Sequence, residues 1–206
     1  MQEKPKPQWI VFDIGGVLFD TPKALQTLAT YAGVPVDELT DFFTQSTLEE
    51  GELGEIGFAD AWLDYFKNLG IEMDAETFLS LYISPNNFVP GTLQLAQDLH
   101  TAGYKLATLT NSWKGIMQRD EQIEPLNVLF SSIIDSSEIG LRKPHPEIFT
   151  YTETLLSAKG PELFYIDDAP ANVEEGEKFG WQTYKYDLSS DEGKTANEIL
   201  RARLLG

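Results

Sequence analysis

Three apolar runs of this chain end on polar residues that could do chemistry together. Trp9-Ile10-Val11-Phe12 stops at Asp13, Lys105–Leu109 stops at Thr110-Asn111, and Leu163–Ile166 stops at Asp167-Asp168. If the runs are buried parallel strands, these residues project from one sheet edge. The crevice outside the carboxyl ends of the strands is where open parallel sheets bind ligands. A lone aspartate there is usually a turn or cap residue, and Asp167-Asp168 has a plain reading as a turn through Ala169-Pro170 into a helix. Three polar ends, one of them an acid pair, are harder to assign to turns alone. Converging carboxylates repel one another and call for a cation, and an all-oxygen set suits Mg2+. Asp167 and Asp168 could ligate it directly or through water. Asp13 could share one oxygen with it and use the other as a nucleophile, because carboxylates catalyse phosphoryl transfer covalently through an aspartyl phosphate.

A phosphoryl group also needs a basic partner. Lys143 is the candidate, in Gly140-Leu141-Arg142-Lys143-Pro144-His145-Pro146. The alternative is a solvated loop charge, the usual fate of a single lysine. The flanking glycine and prolines mark a short, shaped link rather than a free loop.

Such a site would sit in an acidic protein. The 206 residues include 15 Lys plus Arg against 33 Asp plus Glu, a net charge of −18, and no cysteine. Disulfides, zinc–thiolate centres and cysteine nucleophiles are excluded. The charge argues against nucleic acid, whose backbone demands clustered Lys and Arg, and against an anionic membrane surface. Most of it reads as solubility. With 42% hydrophobic and 12% aromatic residues the chain can bury a core. Met1–Gln8 lacks the pattern of a signal peptide, and Trp9–Phe19 is too short and too interrupted to span a bilayer. The expectation is a soluble, cytoplasmic protein, monomer or homodimer, whose partner is a small molecule.

Five runs read as strands: Trp9–Phe12, Lys105–Thr110, Ser132–Asp135, Leu163–Ile166 and Trp181–Tyr186. Helical patterns cover Thr92–Ala102, Pro146–Ala158, Ala169–Phe179 and the tail Ser190–Leu204. Strands alternating with helices imply an α/β fold with a parallel sheet covered on both faces. Residues 21–89 differ, with helical periodicity and no clear strand. Thr21-Pro22 opens the first helix, which runs to Gly33, and Asp37–Gln45, Phe58–Leu69 and Ala75–Ile83 supply three more. The expected organisation is a core of residues 1–20 and 90–206 with an all-helical insert at 21–89.

With these residues in order, the sequence resembles the haloacid dehalogenase-like hydrolase superfamily. Phe12-Asp13-Ile14-Gly15-Gly16-Val17-Leu18-Phe19-Asp20 resembles its first motif and Leu109-Thr110-Asn111-Ser112 its second. Gly140–Phe149 resembles the third and Tyr165–Val173 the fourth. Gly54-Glu55-Ile56 with Phe58 and Trp62 is similar to the family's cap segment. The resemblance spans essentially the whole chain. It implies a Rossmann-like doubly wound parallel sheet with an inserted small helical C1-type cap over the site, as in subfamily IA phosphatases. It also implies roles. Asp13 is the nucleophile, Thr110 hydrogen-bonds the transferred phosphoryl group with Asn111 nearby, and Lys143 offsets the negative charge. Mg2+ is held by Asp13, the carbonyl of Gly15, Asp167 and Asp168. Asn172 braces the loop. The implied reaction is Mg2+-dependent hydrolysis of a small phosphorylated metabolite, a sugar phosphate being one candidate.

One position departs from that pattern. Phosphatases of the superfamily usually carry a second aspartate two residues after the nucleophile as general acid and base, and here it is Gly15. That function is typically worth about 10²–10⁴-fold in rate. Either the substrate has a good leaving group, or another residue or water substitutes, or catalysis is impaired. An Asp-x-Gly first motif with an Arg-Lys-Pro third motif is similar to the bacterial α-glucose-1-phosphatase-like enzymes, which favours the first explanation.

Other residues have plainer readings. Asp20 suits the entrance to the first inserted helix. His145 reads as a loop residue and His100 as an exposed one. Phe42, Phe43, Phe58, Trp62, Tyr65 and Phe66 have helical spacing and read as the core of the insert. Glu49-Glu50-Gly51-Glu52 reads as a solvated turn. Trp113 is open between packing and substrate contact. Two other functions compete. A 2-haloacid dehalogenase would use the same aspartate on carbon without metal, and the Asp167-Asp168 pair counts against it. A phosphometabolite-binding protein that lost turnover has only Gly15 in its favour.

Overall fold

The computed structural model describes residues 5–45, 48–117, 124–189 and 191–206. Five strands, β1 (Trp9–Phe12), β2 (Lys105–Thr110), β3 (Ser132–Asp135), β4 (Leu163–Asp167) and β5 (Gln182–Lys185), form one sheet in the order β3-β2-β1-β4-β5. Every neighbouring pair is parallel. β1 and β4 are buried along their whole length, as strands covered on both faces must be, and this is why they read as unbroken apolar runs.

The pleat sends alternate residues to opposite faces. Ile10 and Phe12 enter one core with Leu95, Leu99 and Leu200. These come from α6 (Pro90–Thr101) and the tail helix, α11 (Lys194–Leu204). Trp9 and Val11 enter the other core with Ile148, Phe149 and Leu156, from α9 (Pro146–Leu156). This half also holds α7 (Glu124–Leu129), α8 (Ser136–Ile139) and α10 (Pro170–Lys178).

Between β1 and α6 the chain forms α1 (Thr21–Ala32), α2 (Val36–Gln45), α3 (Leu48–Glu52), α4 (Phe58–Asn68) and α5 (Ala75–Tyr82). Asp20 caps α1, accepting from Lys23 N–H at 3.0 Å with a proline in the first turn, the structural role its sequence position suggests. Gly33 closes the helix in the left-handed region, φ 69°. Asp74 caps α5. Phe58, Trp62 and Phe66 lie on one buried face of α4. The Trp62 ring meets Phe42 at 4.9 Å and Phe78 at 5.7 Å, so the aromatic spacing built this insert's core. Entry and exit of the insert are joined: Asp20 N–H donates to Asn87 O at 2.8 Å and Val89 N–H to Leu18 O at 2.9 Å.

Two expectations need correction. Glu49–Glu52 is not a solvated turn: it belongs to α3, and Gly51 is buried against the Trp113 ring. The last helix starts at Lys194, after Gly193 in the left-handed region at φ 76°; Ser190, its expected start, lies outside the described residues, as do Met1–Lys4. Element ends elsewhere differ by one or two residues, and Ser136–Ile139 is a helix the periodicity was too short to show. Among the described residues, no helix is long and apolar enough to cross a membrane.

Candidate active site

Register brings the acids together. Phe12 pairs with both Thr108 and Ile166, so Asp13, one residue on, emerges beside Asp167 while β2 runs two residues further to Thr110. Asp13 N–H donates to Ile166 O at 2.8 Å. Its Oδ1 accepts from Ile14 N–H at 2.6 Å and from Lys143 Nζ at 3.0 Å. Lys143 Nζ reaches Asp167 Oδ2 at 2.7 Å as well. Lys143 is 1% exposed, the opposite of a solvated loop charge.

Burial, electrostatics and hydrogen bonds set the charges. Burial alone would depress the Lys143 ammonium, but Asp13 and Asp167 outweigh it and the pKa is raised, so the lysine stays charged. Burial raises Asp13 well above the ordinary carboxylate range, with Lys143 opposing and Asp167 and Asp168 adding to the rise. Asp167 is just as deep, yet Lys143 and its hydrogen bonds overcome the burial cost and hold it low. Those bonds come from the Tyr165 O–H, from Asn172 Nδ2 at 3.1 Å to each oxygen, and from Ala169 N–H at 2.8 Å. Asp167 is thereby saturated by the protein. Asp168 keeps part of its side chain in solvent, and the partial burial of its carboxylate, together with the charge of Asp167, raises its pKa.

Asp13, Asp167 and Asp168 each offer a carboxylate oxygen within 4.8 Å of the others. Gly16 packs against this group at φ 71°, where a Cβ would strike the Asp168 carboxylate. Three hard oxygen donors, with a glycine keeping space clear beside one of them, fit a divalent cation such as Mg2+.

A second layer holds the lysine. Asn111 Nδ2 donates to Lys143 O at 3.0 Å, and Lys143 N–H donates to Asn111 Oδ1 at 2.8 Å. The same Nδ2 reaches Glu52 Oε2 at 3.2 Å. That carboxylate also receives Arg142 Nε and Nη2, both at 2.7 Å. Glu52 therefore ties the helical insert to the loop that carries Lys143. Burial raises its pKa, with Arg142 opposing.

A cavity of about 330 Å³ opens in front of Asp13 and takes in Ile14, Gly15, Thr110, Asn111, Lys143 and Asp168. Thr110 is buried at its edge. Trp113, left open by the sequence between packing and substrate contact, is packed: it is 4% exposed and 5.5 Å from Phe58, and it also borders the cavity. Phe43 and Phe58 also face it. His145 and His100 are exposed and outside it. Sequence reasoning missed Glu52 and Tyr165. Arg142, beside Lys143 in a link that also approaches the acids, was the one available hint of a counter-ion.

The haloacid dehalogenase-like hydrolase family matches residues 7–180, the region that holds every one of these groups. The chain belongs to that hydrolase family. It is 26% identical over 205 residues to D-ribitol-5-phosphate phosphatase of Bacteroides thetaiotaomicron, covering 94% of this chain and 98% of the relative. It is 24% identical to phosphoglycolate phosphatase of Aquifex aeolicus, covering 84% and 82%. Among solved structures, a haloacid dehalogenase-family enzyme of B. thetaiotaomicron in complex with magnesium and inorganic phosphate superposes with a TM-score of 0.68 at 20% identity, covering 90% and 96%. The L-2-haloacid dehalogenase of Xanthobacter autotrophicus superposes equally, 0.68 at 22% identity, covering 94% and 82%. The fold is thus shared by family hydrolases of both kinds, and the site must separate them.

Proposed function

We propose that this hydrolase is a Mg2+-dependent phosphomonoesterase for a small phosphorylated metabolite. The observation that carries the reading is the three-carboxylate cluster around Asp13, with ligand atoms within 4.8 Å. Attack on the carbon of a haloacid needs no such cluster. Asp13, the Gly15 carbonyl, Asp167 and Asp168 form the set assigned to the metal. Saturation of Asp167 by Lys143, Tyr165, Asn172 and Ala169 favours Asp168 as the direct acidic ligand, with Asp167 setting the position of the lysine. The bound ion would supply positive charge to phosphoryl oxygens and relieve the repulsion among the acids.

The chain's own residues do the rest. Asp13 Oδ1 is pinned by Ile14 and Lys143, which fixes the carboxylate while Oδ2 accepts no hydrogen bond among the described residues. As Asp13 forms its bond to phosphorus, the ester P–O bond breaks and the alcohol oxygen leaves with the electron pair. Water then attacks the phosphorus of the aspartyl phosphate, releasing phosphate and restoring the carboxylate. Lys143 holds positive charge against the nucleophile and the transferring oxygens throughout, and the Thr110 hydroxyl stands at the same edge. Residues 21–89 act as the cap whose seating excludes water from the cavity.

The deciding experiment measures release of phosphate from a panel of phosphate esters with Mg2+ and with a chelator, for the native chain and Asp13→Asn. Turnover that needs both Mg2+ and Asp13 is expected. Chelator-insensitive chloride release from chloroacetate, without phosphate release from any ester, would replace this reading with dehalogenation.

A further inference from the structure

Much of the cavity lining is aromatic and aliphatic. Phe43, Phe58, Tyr82, Phe88, Trp113 and Met117 belong to it. Tyr82 adds little polarity, because its hydroxyl is buried against the Thr21 side chain and burial pushes its pKa far up. Hydroxyl-rich leaving groups need hydrogen-bond partners on every side, and an apolar wall makes each unmatched hydroxyl costly. At its phosphoryl end the cavity holds Asp13, Thr110, Lys143 and Asp168. The cavity also takes in Glu52, Asn111 and Asn172, but these are engaged around the carboxylates and the lysine: Asn111 Nδ2 donates to Glu52 and to Lys143 O, and Asn172 Nδ2 donates to Asp167.

A separate observation concerns the leaving group. Gly15 has no side chain to protonate a departing oxygen, and an added Cβ would find no closer contact than Thr21 Oγ1 at 3.6 Å. The proton donor is therefore missing where there is space for one. Protonation matters least when the departing oxygen is already a weak base. A phenol, with a pKa of about 10, is far more acidic than an aliphatic alcohol.

We propose that the substrate is an aryl phosphate, the monoester of an uncharged phenolic ring that lies against Phe43, Phe58 and Trp113. The inference rests on the phosphomonoesterase reading and names its substrate class. The phosphorus–oxygen bond to the ring breaks as the Asp13–phosphorus bond forms. The aryloxide leaves with the electron pair and takes its proton from solvent. Water then cleaves the aspartyl phosphate to phosphate and free Asp13. A cavity of about 330 Å³ lies at the small end of ligand sites, about 300–1,000 Å³, and accommodates one or two rings.

The test compares phenyl and naphthyl phosphate with hexyl phosphate, hexose 1-phosphate, hexose 6-phosphate and acetyl phosphate, all with Mg2+ and the full chain. Acetyl phosphate has a good leaving group and no ring, so it reports the phosphoryl machinery alone. Aryl esters are expected to exceed both hexose phosphates and hexyl phosphate in kcat/KM by at least about tenfold, the scale on which an apolar pocket discriminates. Binding is read without turnover through quenching of tryptophan fluorescence, since Trp113 borders the cavity. Phenylphosphonate, whose carbon–phosphorus bond is not hydrolysed, should bind at least about tenfold more tightly than methylphosphonate. Hexose phosphates or hexyl phosphate turned over as well as the aryl esters would overturn the ring while leaving the hydrolase intact. Equal affinity for the two phosphonates would do the same. No turnover of any compound, acetyl phosphate included, would instead sink the phosphomonoesterase reading and the inference with it.

Discussion

Asn111 grips the peptide of Lys143 from both sides. Its Nδ2 donates to Lys143 O at 3.0 Å and its Oδ1 accepts from Lys143 N–H at 2.8 Å. A buried lysine shared between Asp13 and Asp167 has little tolerance for displacement, and this amide sets where its backbone sits. Asn111→Ala is expected to lower kcat by up to about 10²-fold, the cost of misplacing a catalytic group by about 1 Å. Single-turnover kinetics with a saturating ester check it. A loss confined to KM would show that Asn111 binds substrate rather than positioning Lys143.

Glu52 extends that grip to the helical insert. Its carboxylate joins Arg142 and Asn111 across the two halves of the chain. Glu52→Ala leaves Arg142 without this partner and frees α3 from the Lys143 loop. The pair is partly exposed, so the expected loss is modest, about 1 kcal/mol, or about a fivefold rise in KM from a cap that seats less well. Steady-state kinetics of Glu52→Ala and Glu52→Gln measure it. Glu52→Gln keeps the shape and should fall between native and alanine; two indistinguishable variants would mean that the charge carries the whole contact.

The site was partly written in the chain. β1 and β4 are buried on both faces, so each reads as a continuous apolar run, and the residue that ends each run had to leave the sheet at the same edge. Asp13 and Asp167 were therefore legible from local pattern. Tyr165 was not, because an inward-facing tyrosine on a buried strand looks like core until its hydroxyl is seen on Asp167. Glu52 was hidden for another reason. Its partners lie 59 and 90 positions away, and five residues of helix are too few for periodicity to reveal. Acids beside a glycine then look like a solvated turn, although Gly51 is where the Trp113 ring needs room.

The acids with raised pKa values also predict how stability depends on pH. Burial raises Asp13, Glu52, Asp135 and Asp168 above their ordinary values of 3.8 for Asp and 4.5 for Glu. A raised acid binds its proton more tightly folded than unfolded. Its contribution is fully present below the ordinary value and is lost as pH rises through the raised one. Asp74, Asp167 and Asp191 are held low, and what they contribute is lost only as pH falls below the ordinary carboxylate value, outside this window. With metal chelated, the melting temperature should fall as pH rises from the ordinary carboxylate values toward neutrality and beyond, to about 8. Mg2+ should recover the part due to Asp13 and Asp168 by offsetting their repulsion. Thermal melts across that range, with and without Mg2+, test both statements. A chelated protein that gains stability toward pH 8 would contradict the raised values.

Gly15 gives the sharpest chemical prediction. Its backbone is not in the left-handed region, and a Cβ there meets only Thr21 Oγ1 at an ordinary 3.6 Å, so the fold tolerates a side chain. Gly15→Asp places a carboxyl two residues after the nucleophile, where it can protonate a departing oxygen. The gain should track the basicity of that oxygen. Alkyl phosphates, whose alkoxides need the proton most, should speed up by as much as about 10²-fold, the lower end of what general acid catalysis supplies. Aryl phosphates should change little, since their leaving groups depart unaided. The measurement is kcat/KM for a matched alkyl and aryl pair in both proteins. An equal gain for the two would mean that the new acid acts on the metal or on the attacking water rather than on the leaving group. A loss for both would place the new charge in conflict with Asp13 and show that the glycine is there to limit the negative charge around the nucleophile.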